Sequence, residues 1–393
     1  FFVVKIMYRF KVSAPGTVLL CGKRNQTCVA ASLDMRTVLT FCSFSTSEDF
    51  IKIKFSSIGL RMKIPLRLFF SHFSKMEYDQ TLDCFKLLES VNSFIKYMTG
   101  FPGDYEPNSR THRLSLQAFL FLLIFISRKE GITINSFIMD VSSELPINEN
   151  LGYSASFVVC LAACFWRWSR LLKGRVPCTF NSKDIIHIAK YAYICEEIVY
   201  CSNAINITIS TVGKMRVFKE EEQTSNIFLD VPSMKILLVS SNASVKSMRM
   251  KINEYLSSFA DFTLYSLETL SSKFIETLEK INEKMVSLQQ QEIVETNSID
   301  LKNYYKYLMD LIHMNQGLLR ALNISHSNLD IICAIARNFS LGGKIVANGS
   351  RYAFILLLPN TSDELIQHLI KIFESHNFPA KITSLNCSGV RVE

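Results

Sequence analysis

Three segments in direct succession constrain this chain more than anything else in it. Residues 137–141 form an apolar run that reads as a strand, and 157–166 form a longer apolar run that reads as a buried helix. Between them, 145–156 reads Leu-Pro-Ile-Asn-Glu-Asn-Leu-Gly-Tyr-Ser-Ala-Ser, a polar connection. A loop entering a helix N-terminus presents unpaired backbone N–H groups and the positive end of the helix dipole, so this frame is a natural anion site. Phosphate-cradling loops favour glycine, however, and this one keeps only Gly152. Architecture and chemistry pull apart here.

At 393 residues the chain suffices for two domains or one large one. With 48% hydrophobic and 20% charged residues it is globular. The net charge of +8 is spread over scattered Lys and Arg, with no long basic block, which argues against nucleic acid as a partner. Eleven cysteines show no C-x-x-C pair, and reduced, intracellular thiols fit best. Cys160 and Cys164, one helical turn apart in an apolar segment, read as buried thiols and not metal ligands. Residues 1–10 lack the cationic and apolar regions and the cleavage site of a signal peptide. Residues 114–126 are apolar but fall short of the roughly 20 needed to span a membrane. A soluble, cytoplasmic protein without a membrane partner is expected.

Strands are predicted at 3–12, 18–21 and 29–42, broken by Ala14-Pro15-Gly16 and by a polar turn at 23–26. A hairpin is expected at 51–55 and 60–64, and helices at 79–98, 114–127, 154–172 and 183–200, with Asp184 suited to a helix first turn. Residues 205–212 and 215–218 alternate like strands, and 234–239 reads as a buried one. A polar stretch at 220–226 marks the domain boundary, giving domains 1–225 and 226–393. Beyond it, Leu267, Leu270, Phe274, Leu278, Ile281, Met285 and Leu288 form an apolar stripe at helical spacing, read as core packing. Helices at 304–322, 329–336 and 363–376 and strands at 344–346, 352–358 and 380–385 complete an α+β, two-domain architecture.

The motifs now assembled resemble the mevalonate kinases within the GHMP family of small-molecule kinases. Lys11-Val12-Ser13-Ala14-Pro15-Gly16 resembles the family's opening motif, and Ala31-Ser32-Leu33-Asp34-Met35-Arg36-Thr37 the strand that follows. Ser143-Glu144-Leu145-Pro146 enters the position of its phosphate loop. Met314-Asn315-Gln316, Leu322-Asn323-Ile324-Ser325-His326 and Leu329-Asp330 match a helical segment typical of mevalonate kinases in particular. The resemblance, from Lys11 to about Pro359, implies the two-domain GHMP-kinase fold with an active site between its domains. It also implies ATP and Mg²⁺ as cofactors and mevalonate or a related small molecule as substrate. A homodimer is the expected assembly.

The departures fall at the inferred chemistry. Thr17 stands where the family has a lysine, and Cys21-Gly22-Lys23-Arg24 replaces its His-Gly-Glu-His. Across the phosphate loop, Asn148, Glu149 and Asn150 precede Leu151-Gly152 where Gly, a small residue and Gly are implied. Asn tolerates positive φ but blocks close approach to phosphate, and Glu149 adds a charge opposed to a triphosphate. Tyr153 replaces the first of two paired serines, and Ser154 keeps the second. Counted back from Ser210-Thr211-Val212-Gly213, Asn206 occupies the place of the catalytic aspartate; an amide cannot take a proton. Glu196 matches the metal-binding glutamate, with Glu197 an alternative by one register, and Ser154 shares that metal role. The family's Gly-rich loop becomes Ala347-Asn348-Gly349-Ser350-Arg351-Tyr352, in which Arg351 and Tyr352 are expected to crowd the nucleotide unless Arg351 contacts phosphate. The resemblance therefore implies a catalytically impaired protein or pseudokinase. The alternative is an active mevalonate kinase in which Lys23, Arg24 or Arg351 supplies displaced charge. A serine hydrolase built on Gly152-Tyr153-Ser154-Ala155-Ser156 lacks the closing glycine of a nucleophile elbow and a placeable His/Asp pair.

Overall fold

A computed structural model describes residues 5–22, 27–45, 49–74, 83–98, 103–174, 178–201, 204–219, 222–229, 231, 234–242, 257–290 and 299–393. In chain order the first half runs β1 (Lys5–Gly22), β2 (Cys28–Ser45), β3 (Phe50–Phe55), β4 (Leu60–Pro65), α1 (Leu66–Phe73), α2 (Cys84–Tyr97), α3 (Arg110–Glu130), β5 (Phe137–Ser143), α4 (Tyr153–Leu172) and α5 (Ser182–Cys195). A π-helical turn (Glu196–Tyr200) leads to α6 (Ala204–Val212), β6 (Met215–Lys219), β7 (Glu222–Leu229) and β8 (Lys235–Ser240). The remainder is α7 (Ser257–Gln290), α8 (Ile299–Ala321), α9 (Ser327–Asn338), β9 (Gly342–Ile345), β10 (Tyr352–Leu357), α10 (Asp363–Ser375), β11 (Ala380–Ser384) and β12 (Arg391–Val392).

Two sheets result, giving the α+β fold. The first has the order β12-β1-β2-β5-β3-β4, with β6 joining β2 and carrying β7 on its other side. The second is β11-β8-β10-β9, antiparallel throughout. Among the described residues of the first sheet, only β3 and β5 run parallel. Aromatic side chains such as Phe41, Phe119, Phe137, Phe157 and Trp168 are buried between this sheet and the helices over it. A second core joins the β1–β2 strands (Val18, Leu20, Val29, Ala31) to α7, α8 and the second sheet through Leu270, Phe274, Leu278 and Ile312. The apolar stripe on α7 is therefore packing, with Met285 and Leu288 partly buried at its end. Helix α4 is long and apolar enough to cross a membrane, yet 83% of that window is buried inside the fold, so it is core.

Several sequence expectations shift. Ala14-Pro15-Gly16 does not break β1. The pairing with β2 continues past it through an irregularity between Pro15 and Thr17, where β2 absorbs two extra residues as the register moves from Pro15–Arg36 to Thr17–Ser32. Residues 205–212 were expected as a strand and form the helix α6. The alternating β-branched side chains give a strand-like period. Here Ile207 and Ile209 bury in packed cores, and Thr211 folds its hydroxyl back onto the Ile207 carbonyl at 2.6 Å, so tertiary packing overrides local propensity. The polar stretch at 220–226 is where β7 begins at Glu222, paired with β6. Helices α1 and α3 are missed or shortened in the sequence reading, and the first residues of the helix expected at 79–98 lie outside the described residues. Asp184 does cap α5, in a reciprocal box with Asn181, and also accepts from Trp166 Nε1 at 2.9 Å.

Candidate active site

The loop between β5 and α4 carries three residues with positive φ: Asn148 at 63°, Asn150 at 58° and Gly152 at 77°. Asn tolerates the left-handed region, which is how the loop keeps its course without two of the expected glycines. Gly152 meets a stricter demand. A Cβ on it would lie 2.5 Å from Thr17 Oγ1 and 2.9 Å from the Thr17 nitrogen. Just before it, the Leu151 carbonyl accepts from the Thr17 N–H at 2.9 Å. The end of the loop is thus docked on β1 at that irregularity.

Thr17 in turn donates its hydroxyl to Asn206 Oδ1 at 2.9 Å, and both residues are buried, at 1% and 8% exposure. The two positions that the resemblance singles out for catalysis, 189 residues apart in sequence, therefore meet. Helix α6, which carries Asn206, is pinned to the same strand by the Ser210 hydroxyl donating to the Pro15 carbonyl at 2.9 Å. Ser154, at the start of α4, donates to Glu196 Oε1 at 2.9 Å. The π turn points Glu196 inward at 1% exposure and leaves Glu197 exposed. The Glu196–Ser154 oxygens are the donor type a hard divalent cation takes, one carboxylate sufficing when substrate phosphates complete the shell.

A cleft of about 330 Å³ opens over these groups, lined by Asn148, Glu149, Asn150, Gly152, Tyr153, Ser154 and Asn206 together with Arg110, Thr111, Ser115 and Tyr200. Leu151 is buried beneath it, and Thr17 lies behind Gly152. Burial pushes the Tyr153 phenol up to about 12. Tyr200 goes well above its ordinary value, first through burial and then through the charge of Glu196. Both present neutral hydroxyls at neutral pH. Arg110, Thr111, Ser115 and Tyr200 were missed by sequence reasoning; Arg110 opens a helix N-cap segment, Ser109–Arg110, whose only visible signal is that cap.

Glu149 does not face the cleft as a free charge. Its carboxylate accepts the Arg351 backbone N–H at 2.7 Å and the Arg351 Nε at 2.5 Å, with Ser350 Oγ at 3.5 Å. Arg351 is therefore occupied, and neither it nor Gly349 lines the cleft. Tyr352 does not crowd it either: the ring lines a separate pocket with Met35, Leu145 and Pro146. Lys23 and Arg24, and the 202–203 part of the segment preceding Asn206, lie outside the described residues. As arranged, the Glu149 carboxylate sits on the donors of the 347–352 loop, so that a phosphate at those donors would have to take its place.

The helical motif behaves differently. Gln316 donates to Ser325 Oγ at 2.9 Å and to Asp330 Oδ1 at 3.1 Å, Ser325 donates to the same Asp330 oxygen at 2.6 Å, and Gln316 Oε1 accepts the Ile345 N–H at 2.9 Å. Asn315 reaches Cys21 Sγ at 3.5 Å. This is a closed structural network tying α8 and α9 to β9.

No protein-family model matches the chain. Its fold is that of the GHMP small-molecule kinases: the Methanococcus jannaschii mevalonate kinase superposes with a TM-score of 0.58 at 16% identity, covering 97% of this chain and 99% of that one. The Lactococcus lactis galactokinase complexed with galactose gives 0.57 at 13% identity over 97% and 94%. In sequence the mouse mevalonate kinase is 28% identical across 96% of this chain and 94% of its own, and the human mevalonate kinase 26% across 97% and 94%. The chain thus has the fold of the GHMP kinases and is similar to mevalonate kinases over nearly its whole length.

Proposed function

We propose that this protein keeps the mevalonate-kinase frame but is impaired in phosphoryl transfer, that is, a pseudokinase. The observation carrying this reading is the Thr17–Asn206 hydrogen bond. Where the family's lysine and aspartate are implied, two neutral side chains satisfy each other, with neither a cation for developing charge nor a base for the hydroxyl proton. A positioned acid or base contributes about 10²–10⁴-fold, and an electrostatic group at developing charge roughly 10²–10³-fold. Their joint loss removes most of the rate, although such losses do not simply add. Mevalonate or a related small molecule is the proposed ligand, on the strength of the near full-length similarity to mevalonate kinases.

The second reading, an active kinase with a rearranged site, draws on the retained Ser154–Glu196 pair and on Arg110 at the cleft. When bound there, Mg²⁺ would supply charge neutralisation at phosphate oxygens. ADP release measured with mevalonate and Mg-ATP decides between them. Negligible release is expected, and turnover of about one per second, ordinary for an enzyme, overturns the pseudokinase. Asn206→Asp in the same assay should leave turnover negligible, since the lysine position stays neutral. Recovery of activity in that variant would show that the aspartate alone was missing.

A further inference from the structure

We propose that Glu149 is a built-in counter-anion that latches the nucleotide loops shut, so that a phosphate-bearing ligand must displace it. The inference rests on reading this cleft, whose wall includes Glu149, together with the adjoining 347–352 loop bonded to it, as the nucleotide site. Three donors of one short loop converge on the Glu149 carboxylate: a backbone N–H, a guanidinium N–H and, more weakly, a hydroxyl. That is the donor set proteins use to hold a phosphate oxygen. The loop is prefolded by its own backbone bonds, Ser350 N–H to the Ala347 carbonyl at 3.1 Å and Val346 N–H to the Tyr352 carbonyl at 2.9 Å. It presents its donors whether or not Glu149 fills them.

Glu149 is aimed there by its neighbours. Asn148 and Asn150 flank it with φ of 63° and 58°, and the Glu149 side chain is 6% exposed whereas that of Arg351 is 43% exposed. A second strut joins the loops, Asn150 Nδ2 donating to the Asn348 carbonyl at 3.2 Å. A buried carboxylate needs such partners, and removing them leaves it uncompensated. The latch and an incoming phosphate thus compete for one set of donors. The observed affinity for the ligand falls by the fraction of molecules in which the latch is closed.

Calorimetric titration with Mg-ATP, on the full chain, tests this independently of turnover. Glu149→Gln keeps the volume and drops the charge, and it should bind Mg-ATP at least tenfold more tightly than wild type. Equal affinity in the two proteins, or no binding in either, overturns the latch. Turnover is read separately, so an active wild type would remove the pseudokinase reading while leaving the latch to stand or fall on affinity. Arg351→Met opens the latch from the other side and covers the case in which Glu149→Gln does not fold. Amide hydrogen exchange in residues 145–152 should then accelerate at least tenfold, and unchanged exchange there counts against the proposal.

Discussion

Two polar constellations of this molecule invite comparison. The Gln316–Ser325–Asp330 network and the Thr17–Asn206 pair are both hydrogen-bonded, the first within one helix–turn–helix stretch with Asp330 half-buried, the second buried and joining segments 189 residues apart. The first retains the side chains of the family resemblance and spends them on holding two helices and a strand together. The second holds two neutral side chains that hydrogen-bond to each other. On the pseudokinase reading proposed above, the framework keeps its side chains while the cleft has exchanged reactive ones for neutral partners. Such an exchange need not loosen a fold when the replacements still satisfy each other's hydrogen bonds.

That contrast can be broken by measurement. Gln316→Ala should be the most damaging change, at about 4 kcal/mol in urea unfolding, because it leaves the Ile345 N–H and the Ser325–Asp330 pair short of a partner and opens a cavity. A loss below about 1 kcal/mol would show the framework network to be dispensable.

Lys344, also in the framework, comes next. Its ammonium is wholly buried, donating to the Leu19 and Ile345 carbonyls at 3.3 and 2.9 Å, and burial pulls it from 10.5 down to about 8. Between those values the unfolded chain holds a proton that the folded one has released. The Lys344 contribution to stability therefore rises with pH across that window and is flat below it. The buried thiols of Cys21 and Cys160, pushed up by burial to about 11 and about 12, act in the opposite sense above about pH 8.5. The lysine is isolated by comparing wild type with Lys344→Met. The stability of wild type relative to the variant should gain roughly 3 kcal/mol between pH 8 and 10.5. A pH-independent difference would mean the amine keeps its ordinary pKa.

Smallest of the three is Thr17→Val, expected to cost about 1 kcal/mol by removing one buried hydrogen bond while preserving shape. A cost equal to that of Gln316→Ala would erase the distinction between framework and cleft.

The strand–loop–helix frame at residues 137–172, the hairpin of β3 and β4 and the stripe on α7 were all legible, because each shows a bounded apolar run or a clear hydrophobic period. Helix α6 was not, since alternating Ile and Thr carry a strand's period, and only packing against β1 and α4 decides otherwise. At the cleft, the substitutions at Thr17, Asn206 and Glu149 could be named one by one. Their pairings could not. Glu149 reads alone as a charge opposed to phosphate, and its partner Arg351 lies 202 residues on. Bonds of that separation leave no periodic trace. Tyr200 and Arg110 were likewise invisible, since neither stands in a motif.

The π turn at Glu196–Tyr200 has a bearing on evolutionary bookkeeping. Such a turn winds one more residue into the space of an ordinary helical turn. One residue deleted beside the turn would let it relax to an ordinary helical turn and shift every later side chain by one place. An ungapped alignment across such a turn slips by one place, and Glu196 and Glu197 then trade identities on paper while Glu196 alone points inward to Ser154.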